Sequence, residues 1–397
     1  MKTPIITSLC DSDFYKVTMA QAALHQMPGA MIKSRFVCRS KVDLRPYKDE
    51  IEEEINHLET LTFQQKELDH LSQIRFLKPD FISFLQNFRL HTDHITYGER
   101  DGNLSIEVEG AFVDKTWFEI PILGIVAEVY HRNINPNPDF NGAEKRLLEK
   151  CRLVKTACAE NPDLAFRLME FGTRRRFSGA WQRRVVEILK NEIPEQLFGT
   201  SNVLLAQDYG LRVLGTMAHE WLQAAQGSNV RLSESQRYAF ELWAREYKGD
   251  LGIALSDIFG MDAFLEDFDL YFSKLFDGAR HDSGCPHIWT DKLLAHYKKH
   301  LIDAKTKAAV YSDGLNFPKA ISLWLKYESQ IRTSFGIGTD LTCDIPGVDA
   351  LQIVMKIVEC NGYPTAKVSD SAGKTICDDQ HFLNYLINSV IANKLKR

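Results

Sequence analysis

The sequence predicts a parallel α/β fold closed as a barrel, with a separate mixed layer at the N-terminus. Three observations predict it. From about residue 140 short apolar runs end repeatedly in a Gly, Ser, Asp or Arg cluster and pass into a helix-like stretch. Polar, chemically unusual residues follow nearly every such run. The two end regions of the chain read instead as amphipathic helices and hairpins. In a doubly wound sheet only the loops at the switch point meet, whereas in a barrel all strand C-termini open onto one face, so the second observation favours the barrel.

Taken in order, residues Asp11 to Gln26 predict a helix with Asp11 as its cap, Asp49 to Thr62 a charged amphipathic helix, and Ile95 to Phe112 a hairpin around Asp101 and Gly102. The most apolar stretch, Ile120 to Val129, is closed in by Glu119 and Glu128 and is too short to cross a bilayer. Phe166 to Phe171 runs into Gly172, Thr173 and three arginines, then into a helix over Ser178 to Lys190. The same texture recurs at Gly199 to Asn202, at Arg212 to Leu214 before Gly215, and at Leu251 to Leu255 before Ser256 and Asp257. It continues at Arg280 to Gly284, at Ala308 to Tyr311 before Ser312, Asp313 and Gly314, and at Ile331 to Phe335 before Gly336 and Gly338. These make about seven βα-like units. Gln352 to Cys360, the turn Asn361 and Gly362, and Thr365 to Val368 read as a hairpin returning to the N-terminal layer.

With 397 residues, 44% of them hydrophobic and 25% charged, the chain can bury a sizeable core. A formal net charge of -5 supplies no chain-wide basic field, which argues against nucleic acid or an anionic membrane as partner; any anion site must be local. The eight cysteines include no C-x-x-C pair and fit neither a zinc framework nor a disulfide scaffold, as expected of reduced thiols in a cytoplasmic protein. The apolar residues of Met1 to Leu9 are interrupted by Pro4, Thr7 and Ser8, so no secretory h-region is expected there.

Three segments carry candidate chemistry. Arg174, Arg175 and Arg176 lie between a strand end and a helix start, where backbone N–H groups and the helix dipole favour anions and guanidinium forks grip phosphate or carboxylate. The alternative is a solvated basic helix start, and at least one of the three is expected to be surface only. Arg280, His281, Asp282, Ser283 and Gly284 join a cation, a carboxylate and a hydroxyl to a glycine, although a plain polar turn has the same composition. Gly215 to Glu220 places His219 just past a strand, able to act as base, ligand or nucleophile if another group orients it. Asp257, at another strand end, is the natural orienting acceptor; a structural histidine is the alternative. Two apparent motifs fail. Ala372 to Thr375 resembles the end of a phosphate-binding P-loop, but Val368 stands where its first glycine belongs, and Gly336 to Gly338 lacks the third dinucleotide glycine because position 341 is Leu341. Asp13 to Met19 reads from spacing alone as amphipathic packing.

Asp13 to Met19, Phe171 to Ser178, Gly199 to Asn202, Gly215 to Glu220, Arg280 to Gly284, Phe335 to Asp344 and Val358 to Gly362, in that order, resemble the signatures of the nicotinate phosphoribosyltransferase family over nearly the whole chain. The resemblance implies the type II phosphoribosyltransferase fold, an irregular α/β barrel over 136–347 flanked by an α/β domain of 1–135 with 348–397. It also implies joining nicotinate to phosphoribosyl pyrophosphate in NAD salvage, with ATP as co-substrate. Carried onto this chain, it sandwiches the pyridine ring between Phe171 and a Tyr15 contributed by a second subunit, hence a homodimer with a shared active site. Arg280 would pair with the nicotinate carboxylate. Ser201 stands where the related nicotinamide enzymes have an aspartate, and a neutral residue there favours the acid over the amide. Arg174, with Arg175 beside it, would face the pyrophosphate, Asp282 and Asp313 the ribose hydroxyls, Ser283 the substrate from the same loop, and Gly336 and Gly338 the 5-phosphate. His219 would be phosphorylated by ATP and oriented by Asp257. Mg²⁺ is implied with no ligand set specified, and Cys285 replaces the acidic residue expected after Asp282, Ser283 and Gly284. A nicotinamide or quinolinate enzyme, or a barrel aldolase with a strand-end lysine, are the competing assignments.

Overall fold

The computed structural model describes residues 3–371 and 373–396. In chain order its strands are β1 (Met31–Cys38), β2 (Ile95–Arg100), β3 (Asn103–Ala111), β4 (Leu168–Glu170), β5 (Leu197–Thr200), β6 (Ile253–Leu255), β7 (Gly278–His281), β8 (Ala308–Tyr311), β9 (Arg332–Ile337), β10 (Ile353–Cys360) and β11 (Tyr363–Pro364). They sort into two sheets by sequence texture. The longer, alternating strands form an antiparallel sheet in the order β11-β10-β1-β3-β2. The short apolar strands form a parallel sheet in the order β5-β4-β9-β8-β7-β6.

Turn chemistry sets the antiparallel registers. Asp101 and Gly102, and again Asn361 and Gly362, all have positive φ (52°, 74°, 52° and 80°), the geometry that lets a two-residue turn follow strand twist. The first turn pairs Arg100 with Asn103, the second Cys360 with Tyr363. β10 then runs along β1, from Ile32 opposite Cys360 to Cys38 opposite Ile353, so the expected return to the N-terminal layer is present. Its second arm is Tyr363–Pro364 and not Thr365 to Val368, because Lys367 pairs instead with Ile376.

The parallel sheet curves without closing by a continuous ladder. Beyond β5 the expected strand at Arg212 to Leu214 is reduced to one bridge, Val213 to Thr200, and the Thr216 hydroxyl donates to the Ile253 carbonyl on β6 at 3.1 Å. The two sheet edges therefore meet through a side chain, an arrangement consistent with the irregular barrel expected. Stacked rings pack between this sheet and its helices, Phe335 lying 5.1 Å from Phe166 and 5.5 Å from Tyr311, while Phe166 meets Trp324 of the helix Phe317–Tyr327. A helix over Glu119–Ile134 buries every residue from Glu119 to Ala127, so the most apolar stretch is a core element. Among the described residues no helix is long and apolar enough to cross a membrane.

Helix starts differ from expectation where charge intervenes. The first long helix is Phe14–Gln26, with Asp13 at its cap position. Asp11 is not the cap, because both its oxygens accept from Arg176. The second stops as a helix at His57 and continues as a tight turn over Leu58–Thr60. Gly179–Glu192 forms as the pattern predicts, the Ser178 hydroxyl accepting from Trp181 N–H at 3.1 Å.

Candidate active site

The loops after β6 and β7 and the start of the helix His219–Gln226 converge at the C-terminal ends of the parallel strands. His219 Nε2 lies 2.7 Å from Asp257 Oδ1 and 3.5 Å from Asp282 Oδ2. The second oxygen of Asp257 accepts from the Ser283 hydroxyl at 2.7 Å. Burial alone would raise the Asp257 carboxyl, but His219 and Lys367 outweigh it and hold it below the usual carboxylate range. Burial, the Lys367 cation and the adjoining helix N-terminus all disfavour imidazolium, so His219 is lowered and neutral at pH 7. The neutral ring donates Nε2–H to Asp257, leaving the Nδ1 lone pair as its reactive site.

The three consecutive arginines separate into three environments. Arg176 is 1% exposed and donates two 2.7 Å hydrogen bonds to Asp11, so the member outside the site is buried, not on the surface as expected. Arg175 donates to the Gln352 side chain at 2.8 Å, and burial with Arg174 nearby lowers it to about 10. Arg174 is partly exposed, with loose 3.8 Å approaches to Asp13 and Glu119 that leave its guanidinium able to take an anion. Arg280, on β7, holds the Asp282 carboxyl down, and its own buried Nε has no hydrogen-bond partner among the described residues.

Tyr15 and Ser201 meet within one chain. The Phe14 N–H donates to the Ser201 carbonyl at 2.7 Å, the Ser201 hydroxyl donates to Asp13 at 2.6 Å, and the Thr18 hydroxyl donates to the Thr216 carbonyl at 2.6 Å. These bonds seat the start of the first helix against the strand ends and put Tyr15 beside Arg174 of its own chain. Gly336 lies inside β9 opposite Met169, and a Cβ on it would overlap the Phe171 ring. Its lack of a side chain makes room for Phe171. Gly338 ends the strand and accepts from the Leu341 and Thr342 N–H groups, opening a short helical turn.

Family models for the nicotinate phosphoribosyltransferase N-terminal domain and for the nicotinate phosphoribosyltransferase family match residues 10–127 and 166–391. The chain belongs to the nicotinate phosphoribosyltransferase family. The nicotinate phosphoribosyltransferase of Bordetella pertussis is 51% identical over 386 residues, 96% of this chain and 94% of that protein. That of Burkholderia cenocepacia is 49% identical, covering 96% of each chain. Among solved structures, the Vibrio cholerae enzyme superposes with a TM-score of 0.94 at 36% identity, covering 100% of this chain and 95% of that one. The Porphyromonas gingivalis enzyme gives 0.91 at 33% identity, covering 99% and 100%.

In this family member the residues that sequence reasoning missed come from the segment after β11. Lys367 Nζ lies 2.8 Å from Asp257 Oδ2 and 3.6 Å from Asp282 Oδ2, and Lys374 forms an ion pair with Asp313. In the sequence Lys374 lay in a failed P-loop ending and Lys367 in an expected hairpin arm, and neither says where the lysines reach. Glu170 was also missed; fully buried, it accepts from Gly172 N–H, Gln182 and Thr200 and so fixes the loop carrying Phe171.

His219, Asp257 and Asp282 are close enough together to consider for the implied Mg²⁺. They do not fit it as a resident ion. Mg²⁺ demands near-octahedral oxygen ligands, whereas here one ligand is a nitrogen committed to Asp257 and Lys367 already fills the cationic position against both carboxylates.

Proposed function

We propose that this chain transfers the phosphoribosyl group of 5-phosphoribosyl 1-diphosphate to nicotinate, giving nicotinate mononucleotide and diphosphate, with ATP hydrolysis coupled through phosphorylation of His219. The observation that carries it is the neutral His219, clamped through Nε2 by Asp257 and standing among Arg280, Asp282 and the Arg174 loop. Family membership supplies the substrates.

In the transfer, the pyridine nitrogen lone pair forms the bond to ribose C1 as the C1–O bond to diphosphate breaks, the electron pair leaving with diphosphate. The attacking nitrogen is already free, so no protein base is required and the protein works by positioning and charge stabilisation. Phe171 and Tyr15 hold the ring, Arg280 pairs with the carboxylate through its unsatisfied Nε edge, and Ser201 leaves the acid unopposed by a residue of its own charge. Arg174 stabilises departing diphosphate, with Arg175 as neighbour. Asp282 and Asp313 accept from the ribose hydroxyls, and Ser283 supports Asp257 from the same loop. Gly336 and Gly338 contribute backbone to the 5-phosphate.

In the coupled reaction the Nδ1 lone pair attacks the γ-phosphorus of ATP as the bond to ADP breaks. Water later cleaves the P–N bond and releases phosphate. A dianionic group at this helix start is favoured by the dipole and changes the charge felt by diphosphate nearby. The free state of all eight cysteines supports a reducing, cytoplasmic compartment. A homodimer remains part of the proposal, and sedimentation velocity checks it independently of Tyr15.

The test is nicotinate against nicotinamide, each with and without ATP, on the wild type and on His219→Asn. Nicotinate preference and loss of the ATP response in His219→Asn are expected. Preference for nicotinamide overturns the acid assignment, and an unchanged ATP response in His219→Asn removes the phosphohistidine.

A further inference from the structure

We infer that Lys367, carried by the segment that follows β11, is the positioning residue that balances the two carboxylates facing His219, so that this segment belongs to the phosphorylation apparatus. The inference rests on the phosphohistidine assignment for its functional consequence, but not for its geometry. Lys367 is buried, and its ammonium sits on the Asp257 oxygen opposite to the one His219 uses, within 3.6 Å of Asp282 as well. The segment is fixed by backbone. Lys367 and Ile376 exchange hydrogen bonds at 2.9 and 2.8 Å, Val368 N–H donates to the Ile258 carbonyl at 2.8 Å, Ser369 N–H to the Asp257 carbonyl at 3.3 Å, and Asp370 N–H to the Ser283 hydroxyl at 3.0 Å. It is therefore stitched to the same two loops that carry Asp257 and Asp282.

The charges around His219 show why the cation matters. Asp257 faces it from the loop after β6, Asp282 from the loop after β7 with Arg280 behind it, and Lys367 from the C-terminal segment. On its own helix, Glu220 turns to Lys16 and Thr116, and Lys16 is also paired with Glu119. Two carboxylates with no Lys367 would favour imidazolium, whose Nδ1 carries a proton and has no lone pair to attack phosphorus. Lys367 shares Asp257 Oδ2 with the Ser283 hydroxyl, which leaves Oδ1 to His219.

The experiment follows His219 by NMR titration and ATP hydrolysis by pH profile in the full-length wild type, Lys367→Met and Lys367→Arg. In Lys367→Met, His219 is expected to titrate about one pH unit higher, and the acid limb of ATP hydrolysis to move with it, costing several-fold at about pH 6 and approaching about tenfold at lower pH. The KM for nicotinate should change less than kcat for ATP hydrolysis, and Lys367→Arg should restore both titration and rate. An unmoved His219 titration in folded Lys367→Met overturns the inference. Should that variant not fold, Lys367→Ala assayed with propylammonium decides it: recovery of ATP hydrolysis supports the counter-ion role, and no recovery overturns it. Because the titration needs no ATP, failure of the phosphohistidine assignment in His219→Asn is read separately.

Discussion

The guanidinium of Arg176 and the carboxylate of Asp11 face each other through two parallel 2.7 Å hydrogen bonds beneath the loop that carries Arg174. Asp11 also accepts from Asn202 at 2.7 Å and Arg176 donates to Gln182 at 2.9 Å, so the pair ties together the N-terminal segment, the loop after β4 and the loop after β5. Removing one partner of a buried pair strands the other charge, at a cost of about 3–5 kcal/mol. Arg176→Met is therefore expected to lower the unfolding free energy read from urea curves by that amount. Arg175→Met should cost under about 1 kcal/mol, because its guanidinium bonds only a neutral, exposed glutamine. Equal losses in the two variants would sink this division.

Asp257→Asn keeps the shape of the His219 clamp but offers an amide where the ring donates. The imidazole then turns or changes tautomer, and Nδ1 loses its lone pair. ATP hydrolysis is expected to fall by about 10²–10⁴-fold, and the melting temperature to fall as well, because buried Lys367 loses its nearest carboxylate. Steady-state ATPase assays beside a thermal melt check both parts.

Gly336→Ala places a methyl where the Phe171 ring lies. The ring must move, since the alternative is displacement of β9 from the centre of the parallel sheet. The expected result is a KM for nicotinate raised about tenfold or more, while KM for ATP stays near wild type. A KM for nicotinate that does not move would show that the Phe171 ring is not what the substrate meets.

Acid sensitivity should trace partly to His131. Its ring is fully buried, stacked 5.1 Å from Phe177, and burial lowers it to about 4. A histidine depressed in the folded state binds fewer protons there than in the unfolded chain. Its contribution is flat above about pH 6.5, and stability falls as pH drops from there toward 4. Between pH 7 and pH 5 the loss is about 2 kcal/mol. Denaturant curves at the two pH values, for wild type and His131→Gln, should differ in pH slope by that amount; equal slopes would assign the effect to other groups.

Much of this fold was legible because its punctuation is local. Asp101 with Gly102 and Asn361 with Gly362 fix their own turns, and Ser178 caps its own helix, so hairpins and helix starts appear in the chain order alone. The errors occur where a distant partner decides. Asp11 looks like a helix cap until Arg176, far along the chain, takes both its oxygens. Arg212 to Leu214 reads as a strand but keeps only the Val213 bridge, because Thr216 spends its hydroxyl on β6. In the candidate site, His219 and Asp257 were legible from their positions at strand ends. Lys367 and Lys374 were not, since nothing near them in sequence indicates which carboxylates they reach.

The stitching of the segment after β11 over the strand ends also orders events during synthesis. β10 must find β1 across all the parallel strands made between them, a pairing of high sequence separation that forms slowly. A nascent chain that has emerged only through β9 already holds His219, Asp257 and Asp282, yet lacks the ammonium between them. The cluster around His219 is therefore complete only when Lys367 has left the ribosome and β10 has docked.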